Sequence, residues 1–226
     1  MKQAILLIIL GIAGLAIGGV KGGGFLMLSW LGVNFVVLGI AHVFQWHGLF
    51  GKRHDGTLPW WSWLLFAPLL LYSHAVWYLL ILVSREASFN EVTGDLTVGR
   101  RLLSVGASSP FENYIDLTAE FQEPKALRRA AEYQCLPVLD ASAPSPEILR
   151  RWVLGLRPGR TFVHCAQGHG RTGLFALAVL LESGAAGTLE EGLALLRKAR
   201  PGIRLNDAQR RCLEAYVKLR AGESAS

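Results

Sequence analysis

Up to residue 84 the chain carries only five side chains charged at neutral pH, Lys2, Lys21, Lys52, Arg53 and Asp55. Three long apolar runs fill the gaps between them. Residues 4–20, 25–45 and 60–83 contain no Asp, Glu, Lys or Arg, and each is close to the ~20 residues that cross a ~30 Å hydrocarbon core. Six of the seven tryptophans (Trp30, Trp46, Trp60, Trp61, Trp63 and Trp77) fall here, several near run ends, where an interfacial belt forms. The sequence therefore predicts a multi-pass transmembrane region over 1–84, with three helices at about 4–20, 25–45 and 60–83. A cleaved signal peptide would also begin with Lys2 and an apolar stretch, but the first run leads into two more, which favours a retained helix. His42, His47, His54 and His74 lack carboxylate companions and metal-ligand spacing, so they are expected as packed or interfacial histidines, with no metal.

The remaining 142 residues hold 19 Lys/Arg and 16 Asp/Glu, an ordinary water-soluble composition. The net charge of +6 splits evenly between the two parts. That surplus suits anionic substrates or a lipid surface. It gives no sign of a nucleic-acid partner, because no basic run interleaved with aromatics and no zinc-finger spacing is present. Cys135, Cys165 and Cys212 form no CxxC pair.

After a polar stretch expected to be a linker at 85–94, β-type runs ("LTVGRRLLSVG", "NYIDLTA", "QCLPVLD", "RTFVHCA") alternate with helix-like stretches at 124–133, 145–156, 173–183, 189–198 and 207–220. The alternation predicts an α/β domain over 95–220, with a short tail at 221–226. Within it, "VHCAQGHGRTGLFAL" runs from an apolar β-segment through a glycine-rich loop into an apolar helix. A strand, a tight loop and a helix amino terminus together build an anion cradle from backbone N–H groups and the helix dipole. Gly168 and Gly170 allow close backbone wrapping, and Arg171 offers a planar fork to two phosphate oxygens. The same field favours the thiolate of Cys165, the nucleophilic form. A thiolate beside a bound phosphate implies attack on phosphorus and a phosphocysteine intermediate. Thr172 is placed to donate to the sulfur as that intermediate breaks down, and His164 to fix loop geometry. Asp140, where a β-run enters a proline-rich loop, is the candidate general acid and then base.

"HCAQGHGRTG" fits the HC-x5-R-[ST] pattern of the cysteine-dependent protein tyrosine phosphatase superfamily. "LPVLDASAPS" resembles the acid loop of its dual-specificity branch. "RPGIRLNDAQRRCLEAY" resembles that branch's closing helix, with Asn206 and Gln209 at motif positions. The resemblance implies a central mixed sheet flanked by helices, phosphate held by Ala166, Gln167, Gly168, His169, Gly170 and Arg171, and a mechanism without metal or cofactor. The loop lacks the Lys common in phosphoinositide-specific members, though His169 can supply partial positive charge.

Some residues keep two readings. Cys135 is a buried structural thiol or a protective disulfide partner of Cys165; Cys212 is core or surface. Asp116 and Glu120 position the lid or mark a strand end and helix start. The functional expectation is a membrane-anchored phosphatase acting on phosphoproteins or small phosphoesters. Its alternatives are a phospholipid headgroup phosphatase and a non-catalytic phosphate-binding membrane protein. A reactive thiolate suits a reducing cytosol. The catalytic domain is therefore expected in the cytoplasm, which with three spans puts the amino terminus outside.

Overall fold

The computed structural model describes residues 2–103, 111–130 and 132–224. Helix α1 (Lys2–Lys21) turns through a short 3₁₀ segment (Gly23–Phe25) into α2 (Leu26–Val43). The two run antiparallel along a seam of small residues. A Cβ added at Gly32 would lie 2.6 Å from the Gly11 carbonyl oxygen, one at Gly11 would lie 2.6 Å from that of Gly32, and one at Gly39 would lie 2.9 Å from the Ala4 oxygen. Backbones this close are how helices associate where no hydrophobic effect separates them from their surroundings. Both helices are long and apolar enough to span a membrane, and only 17% and 22% of their apolar windows are buried. Ile5, Ile9, Ile12, Leu26, Met27 and Val33 face outward. A core helix of a water-soluble protein would hide such a surface.

The third apolar run does not form a third spanning helix. It divides at Phe66 (φ −107°) into α3 (Trp60–Leu65) and α4 (Ala67–Val83), with Pro68 in the first turn of α4, where its missing N–H costs nothing. Its flanks lie on one side. The Leu58 N–H donates to Gln122 Oε1 (3.1 Å), and beyond the far end Glu86 bonds His169. Between them, the Leu65 carbonyl accepts from Trp30 Nε1 (2.9 Å) and Asn34 Nδ2 (3.1 Å), midway along α2. The segment thus dips along α2 and returns, satisfying its broken backbone against a neighbouring helix. Hydropathy registers the apolar length but not the return.

A five-stranded mixed sheet follows, in the order β1 (Phe89–Thr93), β2 (Leu96–Arg100), β5 (Thr161–Cys165), β3 (Asn113–Thr118), β4 (Glu132–Val138). Only the β1–β2 pair is antiparallel. Strand β1 occupies the stretch expected to be a linker: its polar, half-exposed side chains look like linker sequence, but Gly94–Asp95 closes a hairpin that adds it as an edge. Likewise the expected helix at 124–133 is shorter, α5 (Lys125–Ala130), and residues from 132 join β4.

Central strands alternate their side chains between two faces. Leu96, Val98, Ile115, Leu117, Val163 and Cys165 pack against α6 (Pro146–Leu154), α7 (Gly170–Glu182), α8 (Leu189–Ala199) and α9 (Asp207–Ser224). Tyr114, Phe162 and His164 stack on the opposite face. The amino-terminal segment docks on the sheet domain: Ala41, Leu49, Phe50, Leu58, Phe66, Leu69 and Leu70 share a cluster with Ala119 and Leu139.

The α1–α2 seam predicts that Gly32→Val lowers the melting temperature of the full chain in detergent, by an overpacking cost of about 1–3 kcal/mol. Gly19→Ala, where an added Cβ meets nothing within 4 Å, should leave it unchanged.

Candidate active site

Strand β5 delivers Cys165 to the carboxyl edge of the sheet, and α7 begins five residues later at Gly170. The carbonyls of the connecting loop are held from outside it. The Cys165 oxygen accepts from the Arg101 N–H (2.8 Å), Ala166 from Trp77 Nε1 (2.9 Å), Gln167 from Arg200 Nη2 (3.0 Å) and Gly168 from Arg200 Nε (3.0 Å). Because the C=O and N–H of one trans peptide point opposite ways, fixing these carbonyls outward turns the successive N–H groups of the same peptides toward the concave side, beside the unsatisfied N–H groups of the first turn of α7. Gly168 has φ +74°, and a Cβ there would run into the Gly99 backbone, so the loop and β2 approach at a distance only glycine allows.

Arg171 is buried in the first turn of α7. Its Nη1 and Nη2 donate to the two oxygens of Glu120 at 2.9 and 2.7 Å, Nη1 also reaches the Val138 carbonyl (2.9 Å), and Nη2 lies 3.2 Å from Asp140 Oδ1. Burial opposes its charge, but Glu120, then Asp140 and Cys165, hold the guanidinium more firmly protonated than usual. The Nε is buried without a hydrogen-bond partner among the described residues, a donor left over for an anion. Asp140 itself is largely exposed, at 81% of its side chain. Its loop is pinned on both flanks. Asn206 Nδ2 donates to the Ala141 carbonyl (2.8 Å), Gln209 Nε2 to Ser142 (3.4 Å) and Cys212 Sγ to Pro144 (3.2 Å). His47, from the amino-terminal segment, accepts from the Leu139 N–H at Nδ1 (3.3 Å) and reaches the Ala143 carbonyl through Nε2 (3.2 Å). Burial lowers the His47 pKa, in keeping with a neutral ring that both accepts and donates.

Beneath the loop lies a buried ionic layer. Lys52 Nζ contacts Asp116 Oδ2 (2.5 Å), the Thr118 carbonyl (2.8 Å) and Thr118 Oγ1 (2.9 Å), and Tyr133 donates to the same Asp116 oxygen (2.5 Å). Burial alone would raise the Asp116 pKa; Lys52 and then His164 hold it well below the carboxylate range. Arg101 Nε bonds Glu123 (2.5 Å), whose pKa burial and Asp116 push up to about 7. His164 is fully buried and driven down to about 4, mainly by burial. Asp116, Glu123 and His164 converge closely enough to hold a metal ion, but Lys52 and Arg101 already supply the cations there.

Each residue expected at the site can thus be placed. Cys165, Ala166, Gln167, His169, Gly170, Arg171 and Asp140 line one cleft of about 480 Å³. His169 turns its Nε2 to Glu86 Oε2 (2.7 Å), a partner outside the cradle. His164 makes ring contacts with Phe162 and Tyr114, while its two nitrogens have no hydrogen-bond partner among the described residues; the same holds for the Thr172 hydroxyl. Asn206 and Gln209 bond the loop after Asp140, and the Gln209 amide also lies against Gly170 of the cradle. Cys135 is a free buried thiol pushed up to about 12 by burial. Four residues escaped the sequence reading. Glu120, left between two readings, is the partner of Arg171. Arg200, beside a Pro-Gly turn, holds two loop carbonyls. Lys52 and Trp77 lie in a segment where hydropathy drowns chemistry, and Trp77, one of the tryptophans expected in an apolar belt, is buried against the loop.

No family model and no curated protein matches the chain. Solved structures do. A mouse putative dual specificity phosphatase complexed with zinc tungstate is 19% identical with a TM-score of 0.53, the match covering 63% of this chain and 96% of that one. Human DUSP28 is 17% identical with a TM-score of 0.50, covering 58% and 93%. PTPMT1 in complex with PI(5)P is 16% identical with a TM-score of 0.50, covering 61% and 99%. The chain therefore shares the fold of the protein tyrosine and dual-specificity phosphatases.

The ionic layer sets a pH response. A buried neutral histidine favours the folded state above its unfolded pKa of 6.5 and loses that contribution as pH falls toward about 4, at most about 3 kcal/mol. Glu123, pushed up to about 7, contributes with the opposite sign over nearly the same window, so the readout is a difference: the melting temperature of the full chain in detergent should fall from pH 7 to pH 4 relative to that of His164→Phe.

Proposed function

We propose that the chain is a phosphomonoesterase that works through a phosphocysteine intermediate at Cys165. The observation that carries this reading is the meeting in one cleft of Cys165, the carbonyl-anchored loop, Arg171 and Asp140. The substrate phosphate lies in the loop, its oxygens on the inward N–H groups and on the Arg171 fork, whose rigidity Glu120 supplies. The Cys165 thiolate attacks phosphorus opposite the ester oxygen. The P–O bond breaks as the S–P bond forms, and the leaving alkoxide takes the proton of Asp140. Asp140, now a carboxylate, removes a proton from a water that attacks phosphorus. Inorganic phosphate leaves and the thiolate returns, with the Thr172 hydroxyl as its hydrogen-bond donor. Phosphatase-like neighbours in fold are consistent with this chemistry.

The same reading places the enzyme at a membrane, through α1 and α2. With two spans, the amino terminus and the catalytic unit share one side. Lys2, Lys52 and Arg53 then face that side against Lys21 opposite, a bias that favours the cytoplasm for the catalytic unit. The amino terminus moves there too, opposite to the three-span expectation. The non-catalytic alternative finds no support in a cleft that gathers nucleophile, fork and acid.

The full chain in detergent should hydrolyse an aryl phosphate, and Cys165→Ser should reduce turnover by about 10³-fold or more. Activity equal in the two proteins would refute the mechanism. Asp140→Asn should cost about 10²-fold with poor leaving groups and far less with nitrophenolate, read from a leaving-group series. A reporter fused after Ser226 should be active only in its cytoplasmic form.

A further inference from the structure

The cleft that ends at Cys165 has two unlike walls. One is the phosphate loop with Asp140 and Glu120. The other is built by the segment before residue 84: Leu38 and His42 of α2, and Leu69, Tyr72, Ser73, Val76, Trp77 and Leu80 of α4. A water-soluble phosphoester would gain nothing from that second wall, and a folded phosphoprotein would have to pass two helices to reach the sulfur. The wall also continues into exposed apolar surface. Ile40 on α2 and Leu71, Tyr72 and Leu79 on α4 are 43–62% exposed. The cradle therefore opens along a greasy channel toward the apolar belt rather than only toward water.

The cationic content of the cleft narrows the headgroup. Arg171 is the sole Lys or Arg among its described lining residues, and Glu120 already engages it. His169 bonds Glu86, and Asp140 brings a carboxyl rather than a further cation. A second phosphate monoester on the same headgroup would enter this space without a counter-charge, at a large desolvation cost.

Building on the phosphocysteine reading, we infer that the substrate is a membrane lipid ending in a single phosphomonoester, its phosphate in the Cys165 loop and its tail against α2 and α4. Burying a methylene is worth about fourfold in affinity, so seating four of them gives on the order of 100-fold.

The test uses the full chain in mixed micelles at fixed surface mole fraction, with phosphate release as the readout. Substrates are glycerol 3-phosphate, lysophosphatidates of increasing acyl length, dioleoyl phosphatidate, phosphatidylinositol bisphosphate and a phosphotyrosine peptide. The expected result is a kcat/KM that rises about 100-fold or more from glycerol 3-phosphate to the long-chain lysophosphatidates. The singly phosphorylated lipids should exceed both the bisphosphate and the peptide. Val76→Gln, in the channel, should cut the chain-length gain to about 10-fold or less. Leu82→Gln, outside the cleft and 81% exposed, should retain it. A flat chain-length series with aryl phosphate still cleaved overturns the lipid assignment and leaves the phosphatase reading standing. So does a preference for the peptide or the bisphosphate, or a gain that survives Val76→Gln, which would mean mere partition into micelles. Aryl phosphate turnover independent of Cys165 overturns the reading beneath it.

Discussion

The arrangement rests on the outward restraint of four consecutive carbonyls, Cys165 to Gly168. A loop of peptide dipoles can collect an anion only if its N–H groups converge, and isolated, those dipoles repel one another. Convergence must be imposed from outside. Here the donors come from three separate places: the backbone at the end of β2, the indole of Trp77 on α4, and the guanidinium of Arg200 at the end of α8. Arg200 is itself anchored by Asn90 (2.9 Å) and Glu86 (3.0 Å), and the Arg101 guanidinium lies 4.9 Å from the Trp77 ring, a cation–π contact. Two of the three restraints thus run through residues 77–90, the stretch between the apolar segment and the sheet.

Legibility in the sequence followed chemistry that repeats at short range. The run from β5 through the loop to α7 could be read because a strand, two glycines, an arginine and an apolar helix lie within fifteen residues, each with a local reason to be there. The helices with strong apolar periodicity, α6 and α8, were legible on the same ground. What could not be read was set by contacts distant along the chain. Glu120 becomes the clamp of Arg171 only because β3 lies beside β5, 51 residues away. Lys52 looks like a loop lysine until Asp116 is placed under it. β1 was hidden because an edge strand with one wet face carries linker-like side chains. The third apolar run was read as one helix because hydropathy sums apolar length and says nothing of the break at Phe66 that divides it into α3 and α4.

Lys52 also explains why the helices sit where they do. A buried ion pair adds little net stability, since desolvation consumes most of the attraction, but losing one partner strands the other's charge at a cost of several kcal/mol. Apolar docking between α2, α4 and the sheet would tolerate sliding. Lys52 over Asp116, with Tyr133 and Thr118 completing the shell, does not. One register satisfies the pair, and in that register Trp77 meets Ala166 and His47 meets the loop around Asp140.

An apolar wall beside a phosphate cradle carries an electrostatic consequence as well as a recognition one. A phosphate dianion at an open loop is screened by water on its free side. On the proposed reading, Tyr72, Val76 and Leu80 of α4, which line the same cleft, lower the local dielectric and so strengthen every N–H and guanidinium contact to the phosphoryl oxygens. On that reading the gain is largest where negative charge shifts onto the leaving oxygen, beside Asp140, whose side chain is 81% exposed. On the proposed reading, the same helix that would hold a lipid tail orders the loop through Trp77 and excludes water from it, so tail binding and phosphoryl transfer are coupled through a single indole.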